Sequence, residues 1–196
     1  MSSSASDQEL LARQAALQAE AAEVLAELDL DQLFADVGPV LVVGSYLSGL
    51  MSWRDLDICL LAGEDCSPSD VLELLKRVVE LPGFAGLTYR DERGERCPTG
   101  EARDERYHVP FDLDAGQGRW RIDLSVWLRD LHGHVADWHV RLRDTITDQQ
   151  RLAVLRDGVR IPEQFARWLA ANGFPAPDDH RRAVSSPRGA SAGGRP

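Results

Sequence analysis

The sequence predicts an α/β (α+β) domain with a mixed sheet of about five strands flanked by helices. Three observations carry that expectation. Short apolar runs of strand length alternate with Leu-, Ala- and Glu-rich stretches of helical period. The segment RWRIDLSVWL, residues 119–128, alternates apolar and polar residues with the period of a half-buried strand. The apolar strand segment DLDICLL, residues 55–61, carries two aspartates two positions apart, so both carboxylates project from one face.

In chain order, residues 7–29 place apolar side chains at helical spacing behind Ser6 or Asp7 as cap. GPVLVVGS (38–45) reads as a strand ending at Gly44-Ser45, and DLDICLL as the next. The spacer between them has room for a turn of helix starting near Ser45. SPSDVLELLKRVVELP (67–82) reads as an amphipathic helix stopped by Pro82-Gly83. FAGLTYRDE (84–92) is a third strand, and residues 91–106, with six acids and four arginines, read as a solvated loop. YHVPFDLD, the turn AGQG and RWRIDLSVWL form a hairpin, followed by helices over about 132–157 and 163–171. The implied organisation is an N-terminal helix (1–30), a core (31–130), C-terminal helices (131–174) and a disordered Pro/Gly/Ser/Arg-rich tail (175–196).

A formal net charge of -10 argues against a general nucleic-acid binder, which needs clustered Lys and Arg, and suits metal ions or small cationic molecules. Cys59, Cys66 and Cys97 are odd in number and lack C-x-x-C spacing, which suggests neither a disulfide framework nor a zinc knuckle. No leader and no membrane-length apolar run are visible, so a soluble, cytoplasmic protein is expected. Neither a P-loop nor a G-x-G-x-x-G fingerprint is present.

The chemistry concentrates in three acids. Leu56, Ile58 and Leu60 point to one side of their strand, and Asp55, Asp57 and Cys59 to the other. Along RWRIDLSVWL, Ile122, Leu124 and Val126 point one way and Arg121, Asp123 and Ser125 the other. If the two strands are neighbours, three carboxylates converge, and like charges at that range repel unless protons or cations intervene. Mg²⁺ with oxygen ligands is the natural solution, and two such ions would suit an in-line displacement at phosphorus. Gly44-Ser45, at a turn into a helix, suits a phosphate.

A hydrophobic strand, Gly44-Ser45, a short spacer, Asp55-x-Asp57 in a second strand and Asp123 in a later one resemble the DNA polymerase beta-like nucleotidyltransferase superfamily, in its minimal bacterial and antibiotic-modifying forms. The resemblance covers residues 38–128. It implies that Asp55, Asp57 and Asp123 are catalytic and bind Mg²⁺, two ions in number. It further implies that Gly44 and Ser45 hold the triphosphate of an NTP, ATP first among them. The implied reaction moves an NMP from the NTP to an acceptor hydroxyl, for instance on a small cationic molecule such as an aminoglycoside. No nucleic-acid or membrane partner is expected, and a homodimer would supply chain for an acceptor pocket. The alternative is an antitoxin-like or regulatory protein of the same fold that modifies or only binds a protein partner.

Other residues carry competing readings. Arg54, where many relatives have Ser, is either an ion-pair partner of Asp55 or a phosphate contact. Arg121 and Ser125 flank Asp123 and are phosphate contacts or strand-face pairs. Tyr107 and His108 are candidates for an acceptor-pocket wall. His132 and His134 form an H-x-H read more readily as a turn than as metal ligands, and Cys59 reads as a packing residue.

Overall fold

Six strands and six helices build the chain's computed structural model, which describes residues 6–129 and 133–157. Helix α1 (Asp7–Leu28) begins at Ser6, whose hydroxyl accepts from Glu9 N–H while Glu9 returns a bond to the Ser6 amide, a complete capping box. Its stripe Leu17, Ala21, Val24 and Leu28 is buried in the main core. Short α2 (Leu30–Leu33) leads to strand β1 (Val40–Val43), and α3 (Gly44–Ser48) follows without a gap.

Strand β2 (Asp55–Leu61) pairs antiparallel with β1 on one side and parallel with β6 (Gly118–Trp127) on the other. Helix α4 (Pro68–Val79) begins at a second capping box, Ser67 with Asp70. Strands β3 (Phe84–Leu87) and β4 (Arg90–Glu92) both pair with β5 (Arg106–Ala115), which forms a hairpin with β6. The main path of the sheet is β1-β2-β6-β5-β3, so it is mixed and six-stranded, as the sequence pattern required in kind.

Three local differences from the sequence reading have physical causes. The expected strand 84–92 is two strands because Pro110 of β5 accepts from Thr88 N–H at 2.9 Å but has no N–H to return. The expected helix 132–157 is two, α5 (Gly133–Thr145) and α6 (Asp148–Asp157). Thr147 ends the run by exchanging bonds with Gln150, so T-x-x-Q was a legible start signal. The segment 91–106 is solvated only in part: residues 94–96 and 98–102 are exposed, but Glu92 lies in β4, and Glu92, Cys97 and Asp104 are buried. The expected helix 163–171 and the tail 175–196 lie outside the described residues.

The two sheet faces are unequal. Leu56, Ile58 and Leu60 of β2, Ile122, Leu124 and Val126 of β6, and Val109 and Phe111 of β5 pack with α1 and α4 in one core. Across the sheet, Val43, Cys59 and Trp127 form a small apolar cluster with Leu41, Leu47, Leu61 and Ala136. The rest of that second face is polar.

This division predicts unequal costs along one helix. Leu74 of α4 is fully buried and Leu72 is half exposed. Leu74→Ala should lower unfolding free energy by about 2–5 kcal/mol, and Leu72→Ala should stay within about 0.5 kcal/mol, both read by urea denaturation.

Candidate active site

Parallel pairing of β2 with β6 sets Asp57 directly beside Asp123 and Asp55 beside Arg121. Because residues two apart share a face, Asp55, Asp57 and Asp123 emerge together on the polar side. One carboxylate oxygen from each lies within 4.8 Å of the others, and all three side chains are half-buried. The sequence placed these acids on one face, and the register brings them together.

Crowding and burial make the cluster costly as bare anions. Burial, then the neighbouring Asp123 charge, pushes the Asp55 carboxyl up to about 6, opposed by a Trp53 side-chain hydrogen bond and by Arg121. Asp57 rises further, to about 7, through burial and then the charges of Asp55 and Asp123, while the Ser45 backbone N–H donating to it pulls the other way. Among the described residues no guanidinium hydrogen-bonds Asp55 or Asp57. A hard cation with oxygen ligands fits this donor set, which offers three carboxylates and neither thiolate nor imidazole within it.

Gly44 is required by this packing. It sits at φ +66°, in the left-handed region, and a Cβ there would fall 1.7 Å from Asp57 Oδ2. The Ser45 amide reaches the same carboxylate. The first duty visible for Gly44-Ser45 is therefore to admit and hold Asp57. Ser48 closes the short helix by donating to the Gly44 carbonyl at 2.9 Å.

The flanking cations are engaged. Arg54 makes a two-pronged pair with Glu20 of α1, at 2.8 and 3.2 Å, so Glu20 and not Asp55 is its ion-pair partner. Its carbonyl accepts from Arg121 N–H, which ties the approach to β2 onto β6. Arg121 bridges Asp123 at 3.3 Å and Asp112 at 3.1 Å, a strand-face pair. Ser125 accepts from Arg106 Nη1 at 3.3 Å, and Arg106 also holds Glu92 at 2.7 Å and lies over the Trp127 ring.

His108 joins the site and Tyr107 does not. Tyr107 faces the core, fully buried, with its hydroxyl donating to the Cys66 carbonyl. His108 lies on the polar face with Nε2 4.0 Å from Asp123 Oδ1 and Nδ1 3.7 Å from Glu92 Oε1. Burial and then Arg106 hold its ring below the usual histidine value, against Glu92 and Asp123. Cys59 packs beside Asp57, its thiol pushed up to about 11 by burial, which marks it as inert. Of the H-x-H pair, His134 falls in the first turn of α5 and His132 lies outside the described residues. Trp53, which the sequence suggests only as core or cleft wall, hydrogen-bonds Asp55, and sequence reasoning missed Glu92, which it counted as a loop acid. The alternation Arg90, Glu92 against Asp91 was the available signal for Glu92.

No family model matches the sequence, and no curated protein matches it. Solved structures do. The chain is similar to the non-canonical poly(A) polymerase GLD-2 in complex with GLD-3, at 13% identity over 76% of this chain and 48% of that one, TM-score 0.48. It is also similar to the Cid1 poly(U) polymerase, at 18% identity over 76% of this chain and 40% of that one, TM-score 0.43. A third is small alarmone synthetase 1 from Bacillus subtilis, at 12% identity over 91% and 97%, TM-score 0.35. The chain spans about half or less of the lengths of the two polymerases.

The cluster's electrostatics give a signed pH prediction. Folded-state values near 6 and 7, against the ordinary 3.8, mean that these carboxyls contribute stability fully below pH 3.8 and lose it as pH rises through 6 to 7. His108 and His139 are shifted down, with the opposite pH trend, so the informative quantity is a difference. In chelator, the melting temperature of Asp57→Asn should match that of the wild type only below about pH 4 and exceed it increasingly from there towards about pH 8. Magnesium should then raise the wild type and leave the variant unmoved. Gly44→Ala should lose the same magnesium response, because its Cβ takes the position of Asp57 Oδ2.

Proposed function

We propose that this chain is a metal-dependent nucleotidyltransferase that moves a nucleoside monophosphate from an NTP to an acceptor hydroxyl. The observation that supports it is the oxygen-only triad, Asp55, Asp57 and Asp123, converging within 4.8 Å on the polar face of a mixed sheet. The resemblance carried by Gly44, Ser45 and the three aspartates points the same way.

Asp55, Asp57 and Asp123 would hold the magnesium. When bound there, it would supply charge neutralisation at the transferring phosphoryl group. The acceptor oxygen forms a bond to the α-phosphorus, the bond to the departing pyrophosphate breaks, and the hydroxyl proton passes to solvent. The protein's own part is placement. The β2–β6 register fixes the three carboxylates on rigid strands, and Gly44-Ser45 fix the turn against Asp57, beside which the triphosphate would lie. Asp123, a third exposed on its side chain, borders the side from which an acceptor approaches.

ATP is the first donor to test. The net charge of -10 favours a small cationic alcohol such as an aminoglycoside as acceptor, by raising its encounter rate. Among the described residues no helix is long and apolar enough to cross a membrane, and a cytoplasmic site of action belongs to this proposal.

Titrating each Mg-NTP into the wild type and into an Asp55→Asn/Asp57→Asn variant by calorimetry tests the reading. Heat of binding should require both magnesium and the two aspartates. A well-folded wild type that binds no Mg-NTP would sink the proposal. Asp123→Asn should abolish transfer of labelled NMP to an aminoglycoside panel while its melting curve stays cooperative.

A further inference from the structure

We propose that His108 belongs to the acceptor subsite and that the acceptor hydroxyl is seated between its Nε2 and Asp123; this deepens the nucleotidyltransferase reading and rests on it. The hairpin register puts His108 opposite Ser125, one pleat along from Asp123 on the same face. Its Nε2 stands 4.0 Å from Asp123 Oδ1. That is too far for a direct hydrogen bond, yet an oxygen atom can stand about 2.8 Å from both atoms at once. The gap therefore has the dimensions of one bridging hydroxyl.

The ring is held from behind. Its other nitrogen, Nδ1, is buried, makes no hydrogen bond among the described residues, and faces Glu92 Oε1 at 3.7 Å. Glu92 is itself buried, and Arg106 grips its second oxygen at 2.7 Å. Arg106 in turn reaches Ser125 Oγ at 3.3 Å and lies over Trp127. His108 is thus backed by a chain of charged and aromatic groups on β4, β5 and β6. Its remaining exposure, 15% of the side chain, lies away from Nδ1. Packing among three strands places one imidazole edge beside the Asp123 carboxylate. The chemical class that fits is a small alcohol whose hydroxyl bonds His108 and Asp123 together.

Water and glycerol serve as hydroxyl probes, with whichever of the four Mg-NTPs binds the wild type. His108→Ala should slow formation of free NMP and of glycerol-linked NMP about tenfold, the loss of one hydrogen bond to a reacting group. It should raise the glycerol KM and leave Mg-NTP affinity by calorimetry unchanged. His108→Gln, which keeps a hydrogen-bonding amide on a side chain of similar reach, should recover most of the rate. Wild-type rates in His108→Ala, a parallel fall in Mg-NTP affinity, or a Gln variant as slow as the Ala variant would each overturn the assignment. So would a wild type that binds Mg-NTP and transfers to neither probe, because a gap of this size admits any small hydroxyl. Failure of the wild type to bind any Mg-NTP would instead remove the nucleotidyltransferase reading, and this inference with it.

Discussion

The parallel pairing of β2 with β6 is the constraint on which the rest depends. With Asp57 opposite Asp123, a slip of β2 by one residue would turn Leu56 outward and carry Asp55 and Asp57 into the core, away from Asp123. The apolar faces of the two strands, nearly all at zero exposure, forbid that slip. Packing on one side of the sheet thereby sets the spacing of charges on the other. The hydrophobic core, and no direct attraction among the acids, holds three mutually repelling carboxylates together.

Repulsion of that kind needs an outlet, and the way the arginines are spent indicates what it is. Arg54 is drawn off by Glu20, Arg106 by Glu92, and Arg121 is shared between Asp112 and Asp123. Asp55 and Asp57 are left with a tryptophan side chain and a backbone amide as partners, and their carboxyls rise towards neutrality in consequence. A fold meant only to be stable would place an arginine there. On the proposed reading, the two most burdened acids are reserved for a cation from outside, which would tie the site's charge state to its ligand.

The sequence made the triad legible because both strands alternate around their acids and because Gly44-Ser45 precede Asp55-x-Asp57 at a short distance. Helices α1 and α4 were equally plain, since each opens with a capping box. What alternation could not supply was which strands are neighbours. That Asp57 pairs with Asp123, and that β5 carries His108 past Ser125, follow from long-range register. The break at Thr88-Tyr89 depends on Pro110, more than twenty residues away in the chain, and Arg54 finds Glu20 on another helix. Glu92 was hidden by its acidic surroundings, where composition spoke for a loop and pairing with Arg106 decided for a strand.

The two flanks of the triad also differ in kind, and the difference bears on how one sheet would serve the two substrates of the proposed reaction. On the β1 side, Gly44 is compelled by the closeness of Asp57, so that position tolerates no side chain, which suits the unvarying phosphates of the proposed nucleotide. On the β5 side, the wall is made of side chains, His108, Glu92 and Arg106, braced against one another and not against the backbone of the turn. Substitution there would reshape the approach to Asp123 without disturbing the register that spaces the acids. In the proposed transferase, such a layout would let acceptor preference change while the phosphate chemistry stays fixed, because the two would depend on separate strands of the same rigid sheet.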